Sequence, residues 1–500
     1  MKAFLKGAAI PLALVAIWQL SASLWGVTSD TLAAPAEIVV AFVAALGAPE
    51  FWRAMGQTLL AAAAGLLIGV AAGLITGVAF GLLPPLSRIM RLTVEVLRPL
   101  PAIAIVPIAI LVFGFGYMLE IAIVAFATFF PVMILSEAAV GQVHPRLIEV
   151  ARVLKLGTIR RLGKIVLPAI LPRSFVALRL AAGLALVVAN MSAGRSEPAA
   201  CISRRLASPR RHVRHAAVDR AAGLGRQFRA GAGRAQPVSR PEGAHAMRRV
   251  SPPWWAGSLL MFAALIVAWQ FASELRAIPR AFFPAPQQTW AALVRGFSSG
   301  QLLADTATTL RRMALGWVLA SMAGIALGVA IGLSAWARSY IAPMFEALRP
   351  LPASALAPVV MLFFGLTDWM ILTLIAFGAL WPMLLTTVHG VSSVHVRKSE
   401  IARSLGLGRL AYAGKIAIPS ALPDILGGLR LGLTVALILA VVGEMITVQG
   451  GLGAHILIAA RRFNAADVFA GIAVLSAIGI ATNLALTAFE RRALRWQGDR

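Results

Sequence analysis

Read for apolar and polar positions alone, the chain is a series of long, nearly charge-free runs broken by short polar or basic stretches. Such runs reach or approach the ~20 residues that a helix needs to cross a hydrocarbon core. In the first half the pattern predicts spans over 7–25 and 57–83, a third from Pro101 to about Met118, a tight turn holding Glu120, a fourth ending near Ser136 and a fifth over 175–194. The second half predicts six, over 253–272, 313–335, 352–367, 369–388, 425–446 and 468–489. An amphipathic helix up to about Arg53 separates the first two spans.

After the fourth predicted span of each half comes a polar, basic island. Residues 400–423 read E-I-A-R-S-L-G-L-G-R-L-A-Y-A-G-K-I-A-I-P-S-A-L-P, and an almost matching island, 149–172, lies 251 positions earlier. The pairs Glu149/Glu400, Ala151/Ala402, Arg152/Arg403, Gly157/Gly408, Lys164/Lys415, Pro168/Pro419 and Pro172/Pro423 keep that spacing. Each island reads as a short helix ended near a glycine, then a second helix that stops at proline. A surface helix pair recurring in a membrane protein points to a docking site. The alternative for Glu149 and Glu400 is an ordinary helix N-terminal acid favoured by the macrodipole.

The offset extends well beyond the islands. It runs without a gap from Trp18-Gln19 (Trp269-Gln270), through Arg98-Pro99-Leu100-Pro101 (Arg349-Pro350-Leu351-Pro352), to Ala189 (Ala440). A repeat of this length is the strongest signal in the chain. Repeats with an even number of spans are parallel, with a path expected at their interface. Glycines at Gly65, Gly69, Gly73, Gly77 and Gly81, and again at Gly316, Gly324, Gly328 and Gly332, place small residues on one helix face. That spacing lets another helix approach closely; a gate or pore lining is the other reading.

Composition narrows the class. At 59% hydrophobic and 13% charged, 500 residues are far too apolar for a soluble protein, so the expected class is an all-α, polytopic membrane protein. A net charge of +26 invites a nucleic-acid reading. With this many spans, Lys and Arg gathered in cytoplasmic loops account for it instead, and no nucleic-acid partner is expected. Lys2 and Lys6 at one end, and E-R-R-A-L-R at the other, place both termini in the cytoplasm. The single cysteine, Cys201, excludes an internal disulfide framework and a cysteine metal cluster, and no cleavable signal peptide is evident.

Candidate chemistry is thin. His144 and His395 recur, one per loop, and read as surface residues rather than ligands. Glu444 lies at or within the membrane, which points either to function or to the outer interface. Arg179 and Arg430 are expected to snorkel to the cytoplasmic face. No acid pair, metal cluster or nucleophile–base set stands out, so no catalytic residue, metal or cofactor is expected.

The residues resemble a known family at this point. The E-x-A-x-x-x-G…I-x-[LI]-P island resembles the EAA motif of bacterial ATP-binding-cassette importer permeases. The R-P-L-P-x-x-A-x-x-P and F-P-A-P-Q-Q-T-W patterns are similar to the nitrate, sulfonate and taurine branch. The resemblance implies a type I importer fold in a bacterial inner membrane, a cytoplasmic ATPase dimer and a periplasmic or lipid-anchored substrate-binding protein. It places Glu149 and Ala151, with Gly157 in the first copy, and Glu400, Ala402 and Gly406 in coupling helices that sit in a cleft of the ATPase. The first copy departs from the pattern, with Lys155 where the motif glycine falls. No Gly-x-x-x-x-Gly-Lys-Ser/Thr phosphate loop is present, so ATP hydrolysis is expected in a separate subunit. The rival is an ion-gradient-driven transporter with parallel repeats, which should show buried acids or histidines at mid-span in both halves.

Three domains follow: 1–190, a first permease copy lacking its last span; 191–249, an Arg-rich, Lys-free stretch with no apolar run able to span; and 250–500, a second copy. After five spans the Arg-rich stretch would lie outside, against the charge rule. It reads either as a frame-disrupted segment or as a basic linker.

Overall fold

The computed structural model describes residues 2–24, 33–98, 100–114, 116–144, 146, 147, 149, 153, 154, 157–193, 254–275, 282–348 and 351–495. The Arg-rich stretch, with Cys201, and the island residues Ala151 and Lys155 lie outside the described residues. Among the described residues every regular element is a helix. Lipid imposes this, because a helix satisfies its own backbone groups where no water can. Eight helices are long and apolar enough to cross a membrane. The protein is a multi-pass, all-α membrane protein.

The first half runs α1 (Lys2–Leu24), α2 (Pro35–Leu46), α3 (Pro49–Leu82), α4 (Pro84–Leu97), α5 (Val106–Phe113), α6 (Tyr117–Gly141) and α7 (Leu167–Ala193). The second half runs α8 (Trp254–Glu274), α9 (Pro286–Ser298), α10 (Gln301–Leu333), α11 (Ala335–Tyr340), α12 (Ala342–Leu348), α13 (Ala357–Phe364) and α14 (Asp368–Ser392). It continues with α15 (Val396–Ser404), α16 (Ile418–Thr447), α17 (Leu452–Arg461) and α18 (Ala465–Ala493).

In each half the third predicted span is not a single helix. It consists of a 3-10 turn and an eight-residue helix: Ala102–Ile105 with α5, and Ala353–Leu356 with α13. Twelve residues rise roughly 20 Å, short of a core ~30 Å thick. The Arg-Pro-Leu-Pro motif explains the break. Each proline lacks an N–H, and the second of each pair is extended, Pro101 and Pro352 both at ψ 126. In the first half α4 meets this short piece at a bend of 80°.

The glycine ladders lie where backbones meet. A Cβ on Gly73 would stand 2.7 Å from the Phe129 carbonyl, and one on Gly81 2.5 Å from the Val140 side chain. Gly77 sits as tightly over Met133 and Ser136. In the second half, a Cβ on Gly324, Gly328 or Gly332 would fall 2.9, 2.6 or 2.7 Å from the Cβ of Met383, Thr387 or Val391. Numbers rise together along both members of each pair, so α3 runs parallel to α6 and α10 parallel to α14. The return strokes are antiparallel. Val132 packs with Ala177 and Ala181, and Gly428 and Gly443 lie over Met383 and Ile371.

The halves clasp each other. The first helix of each crosses to the other: α1 lies on α11 and α12, and α8 on α4. The Ser258 hydroxyl donates to the Arg88 carbonyl, and the Arg88 guanidinium stands 5.0 Å from the Trp254 ring centroid. α8 ends with Trp269 against Phe469, at the end of the second half remote from its island. Both islands therefore share one face. The largest apolar cluster joins Ile103, Val106, Ala109 and Ile123 of the first half to α10, α14, α16, α17 and α18 of the second, all away from that face. The clusters nearest the islands each stay within one half.

Gly328→Leu should lower stability by roughly 1–3 kcal/mol through overpacking against α14. Leu327→Ala, at a position 41% exposed, should be nearly neutral. Thermal melting in detergent reads the difference; equal shifts would contradict a packed glycine face.

Candidate docking surface

The island of the second half is built from its caps inward. α15 begins at His395, whose Nδ1 accepts the Arg397 N–H at 3.2 Å, the work of an N-cap. His144 accepts from the Arg146 N–H at 3.3 Å in the same way. The recurrent histidines are thus helix caps, a role that a lone loop His does not advertise in sequence.

At the other end Gly406 has φ +62. The Gly406 N–H donates to the Arg403 carbonyl and the Leu407 N–H to the Ala402 carbonyl, both at 3.0 Å. This bond pair is a Schellman termination, which favours a residue without a Cβ. Gly157 does not share that job. Its offset partner, Gly408, is the N-cap of the next helical turn, and Gly157 and Gly408 accept from Arg161 and Tyr412 at 2.9 and 2.8 Å. Position 155, the counterpart of Gly406, lies outside the described residues.

The helix that follows does not stop at proline. Arg409–Tyr412 leads through a π-turn, Ala413–Ala417, into α16, which carries Pro419 in its first turn and Pro423 inside. The first half repeats this with Thr158–Arg161, the π-turn Leu162–Val166 and α7. A proline inside a helix clashes with the carbonyl four residues back. Pro419 and Pro168 follow directly on π-turns, whose wider coil redistributes those bonds. The second helical turn of each island and the membrane helix behind it are therefore one continuous piece.

Burial sorts the side chains. Ala402 is buried, while Glu400 and Glu149 are exposed. α15 is pinned to the next helix by the Ser399–Tyr412 hydroxyl pair and by Lys398 on Ser420, both at 3.0 Å. Sequence reasoning passes over the apolar side chains scattered in the basic stretch. Val396, Ile401, Leu405 and Leu410 all stand exposed, Leu410 at 90%, as do Val153, at 81%, and Leu154 in the first island. Exposed apolar patches of this kind are a common feature of interaction sites.

A second polar group lies at the opposite end. Glu444 is fully buried and accepts from Arg312 at 3.3 Å, from the Thr309 hydroxyl at 2.9 Å and from the Gly453 N–H at 2.9 Å. It is an interior hub, not a group at the outer interface. Arg312 also reaches Asp368 and the carbonyls of Gln449 and Gly450. Arg430 does not snorkel freely, since it pairs with Glu490 and Thr487 of α18; Arg179 is exposed. Arg312, Asp368 and Asp305 go unnoticed in sequence because their first-half counterparts are Ala61, Tyr117 and Ala54.

Comparison with known proteins matches two stretches, 65–189 and 320–495, to the family of binding-protein-dependent transport system inner membrane components. A taurine transport system permease protein of Escherichia coli (strain K12) is 34% identical over 248 residues, covering 48% of this chain and 90% of its own. A putative aliphatic sulfonates transport permease protein of Bacillus subtilis (strain 168) is 31% identical over 246 residues, 49% of this chain and 89% of its own. A nitrate import permease protein of Leptolyngbya laminosa is 30% identical over 202 residues, 39% of this chain and 72% of its own.

Gly406→Val should fray the end of α15, because a β-branched residue at positive φ costs roughly 1–2 kcal/mol. Faster hydrogen exchange over 396–407, with the glycine-packed helices unchanged, is the expected result. Unchanged exchange would contradict the termination described here.

Proposed function

The chain belongs to the binding-protein-dependent transport system inner membrane components, twice over in one polypeptide, and on that premise we propose that two islands on one face dock a separate, two-fold ATPase. The observation that carries the reading is the recurrence, in both halves, of exposed apolar side chains near Glu149 and Glu400, followed by a helical turn that runs on into a membrane helix. Closure of the ATPase would draw the islands together, and each half would turn about the apolar cluster at the far end. In this reading the described state is closed away from the islands. Glu149, Ala151, Gly157, Glu400, Ala402 and Gly406 form or shape the docking helices, and hydrolysis takes place in the partner. Glycines Gly73, Gly77, Gly81, Gly324, Gly328 and Gly332 keep each half stiff.

The solute is a small anion of the sulfonate, taurine or nitrate class, by likeness to the relatives. A substrate-binding protein, periplasmic or lipid-anchored, delivers it at the face away from the islands. The islands and both termini then lie in the cytoplasm of a bacterial inner membrane. An ion-gradient mechanism is disfavoured because the buried charges do not recur. Glu120 faces Ile371 across the repeat, and Arg312 faces Ala61.

The proposed domains are 1–190, 191–249 and 250–500. Antiparallel packing puts the end of α7 opposite the islands, with Ala189 beside Val124, whereas Trp254 lies beside Arg88 on the island side. The two copies thus end and begin on opposite faces, which favours a frame-disrupted join between two permease genes over a simple linker. Resequencing tests this. A frame shift restoring an apolar span after Ala193 is expected, and an intact frame would count against it.

Glu400→Lys and Ala402→Trp should abolish uptake of labelled taurine, sulfonate or nitrate and co-purification of the ATPase, while membrane insertion stays normal. Normal uptake with an unchanged ATPase yield would refute the docking role.

A further inference from the structure

α17 starts in an unusual way. The first N–H groups of a helix have no partner within it, and here neighbouring helices provide all three acceptors. The Gly451 N–H donates to Asp305 Oδ1 at 3.0 Å, the Leu452 N–H to Thr309 Oγ at 2.9 Å and the Gly453 N–H to Glu444 Oε2 at 2.9 Å. Asp305 and Thr309 come from α10, and Glu444 from α16. Carboxylates at this end also meet the positive pole of the helix dipole. Arg312 balances the acids and takes up the Gln449 and Gly450 carbonyls, at 2.9 and 3.0 Å, of the loop leading in. Gly451, at φ +95, and Gly453 press against Glu444 so closely that a Cβ on either would collide with it.

What this cap holds in place lies between the halves. α17 packs on α5 of the first half, and Leu452, Ile456 and Leu457 share one buried cluster with Val106 and Ala109. At the positions of Asp305, Arg312 and Asp368 the first half carries Ala54, Ala61 and Tyr117, with Thr58 retained for Thr309. Accordingly α13, the counterpart of α5, is the barer of the two. Val359 is 49% exposed where Ile108 is half-buried.

We propose that α17 is an outer gate: a helix of the second half wedged against α5 of the first and latched by the Asp305–Thr309–Glu444 cap. The inference rests on the chain being a conduit between two bundles, but its test needs neither ATPase nor solute. Outward opening then requires α17 to part from α5 as a rigid extension of α10 and α16, because a buried, charge-assisted cap is costly to break. The solute would pass on the α5 side of α17, and the bare face of α13 would stay static.

The test uses the full chain in nanodiscs with Cys201→Ser and a single cysteine at Leu457, labelled by a membrane-impermeant maleimide. Labelling should be slow in the parent and about tenfold faster or more in Thr309→Val and Glu444→Ala, since a buried donor then loses its acceptor. Thr309→Ser should restore protection. A cysteine at Thr387, buried between α10 and α14, should stay protected in every variant. Unchanged labelling at position 457 would overturn the latch. Release at 387 in step with 457 would overturn it too, by showing that the whole half melts rather than α17 detaching. Loss of ATPase docking in separate experiments would leave these outcomes unaffected.

Discussion

Everything in this fold depends on two helix pairs brought to backbone contact by glycine. Lipid offers no hydrophobic reward for bringing helices together, so association rests on dispersion and on hydrogen bonds, both of which need close approach. α3 against α6 and α10 against α14 reach it by omitting the Cβ at every fourth position along much of the contact. Thr128 and Thr387 at these interfaces return their hydroxyls to their own helices, on Val124 at 2.9 Å and Met383 at 2.6 Å. Neither of these two hydroxyls needs a partner across the gap. Such packing is close to all-or-none and makes each half stiff.

Stiffness gives the other features their meaning. A rigid half can carry its island with it, because the island's second helical turn runs through the π-turn into the membrane helix and α15 is tied to that piece by Ser399–Tyr412 and Lys398–Ser420. The Arg-Pro-Leu-Pro motif sits at one of the places where the halves meet: the turn Ala102–Ile105 lies on α16 and the turn Ala353–Leu356 on α7. The apolar cluster that joins the halves lies on one side only. Movement concentrated at the island face is the mode that this distribution of contacts favours.

The repeat, the helical class, the islands and the spacing of the glycines were all legible in the sequence, since each depends on periodicity or on residues that recur at a fixed offset. What escaped is local. The broken third spans look apolar enough to cross, and only the consequence of two prolines for backbone donors separates them from true spans. Proline after a π-turn defeats the usual rule that a helix ends there. The cap on α17 is invisible because it is tertiary, assembled from α10, α16 and a glycine turn more than a hundred residues from α10. It has no counterpart in the first half to draw attention to it. Gly157 keeps its offset from Gly408, and the two start the next helical turn rather than forming the termination at Gly406.

The central claim is that each half moves as one body and carries its island with it. Pulsed electron paramagnetic resonance between nitroxides at Val153 and Leu405, one on each island, tests it most directly. A second pair within one half, at Leu405 and Leu327, serves as the reference. On adding the ATPase partner with a non-hydrolysable ATP analogue, the account predicts a shorter distance between the islands and an unchanged distance within the half. A constant distance between the islands, or a change within the half as large as that between them, would contradict it.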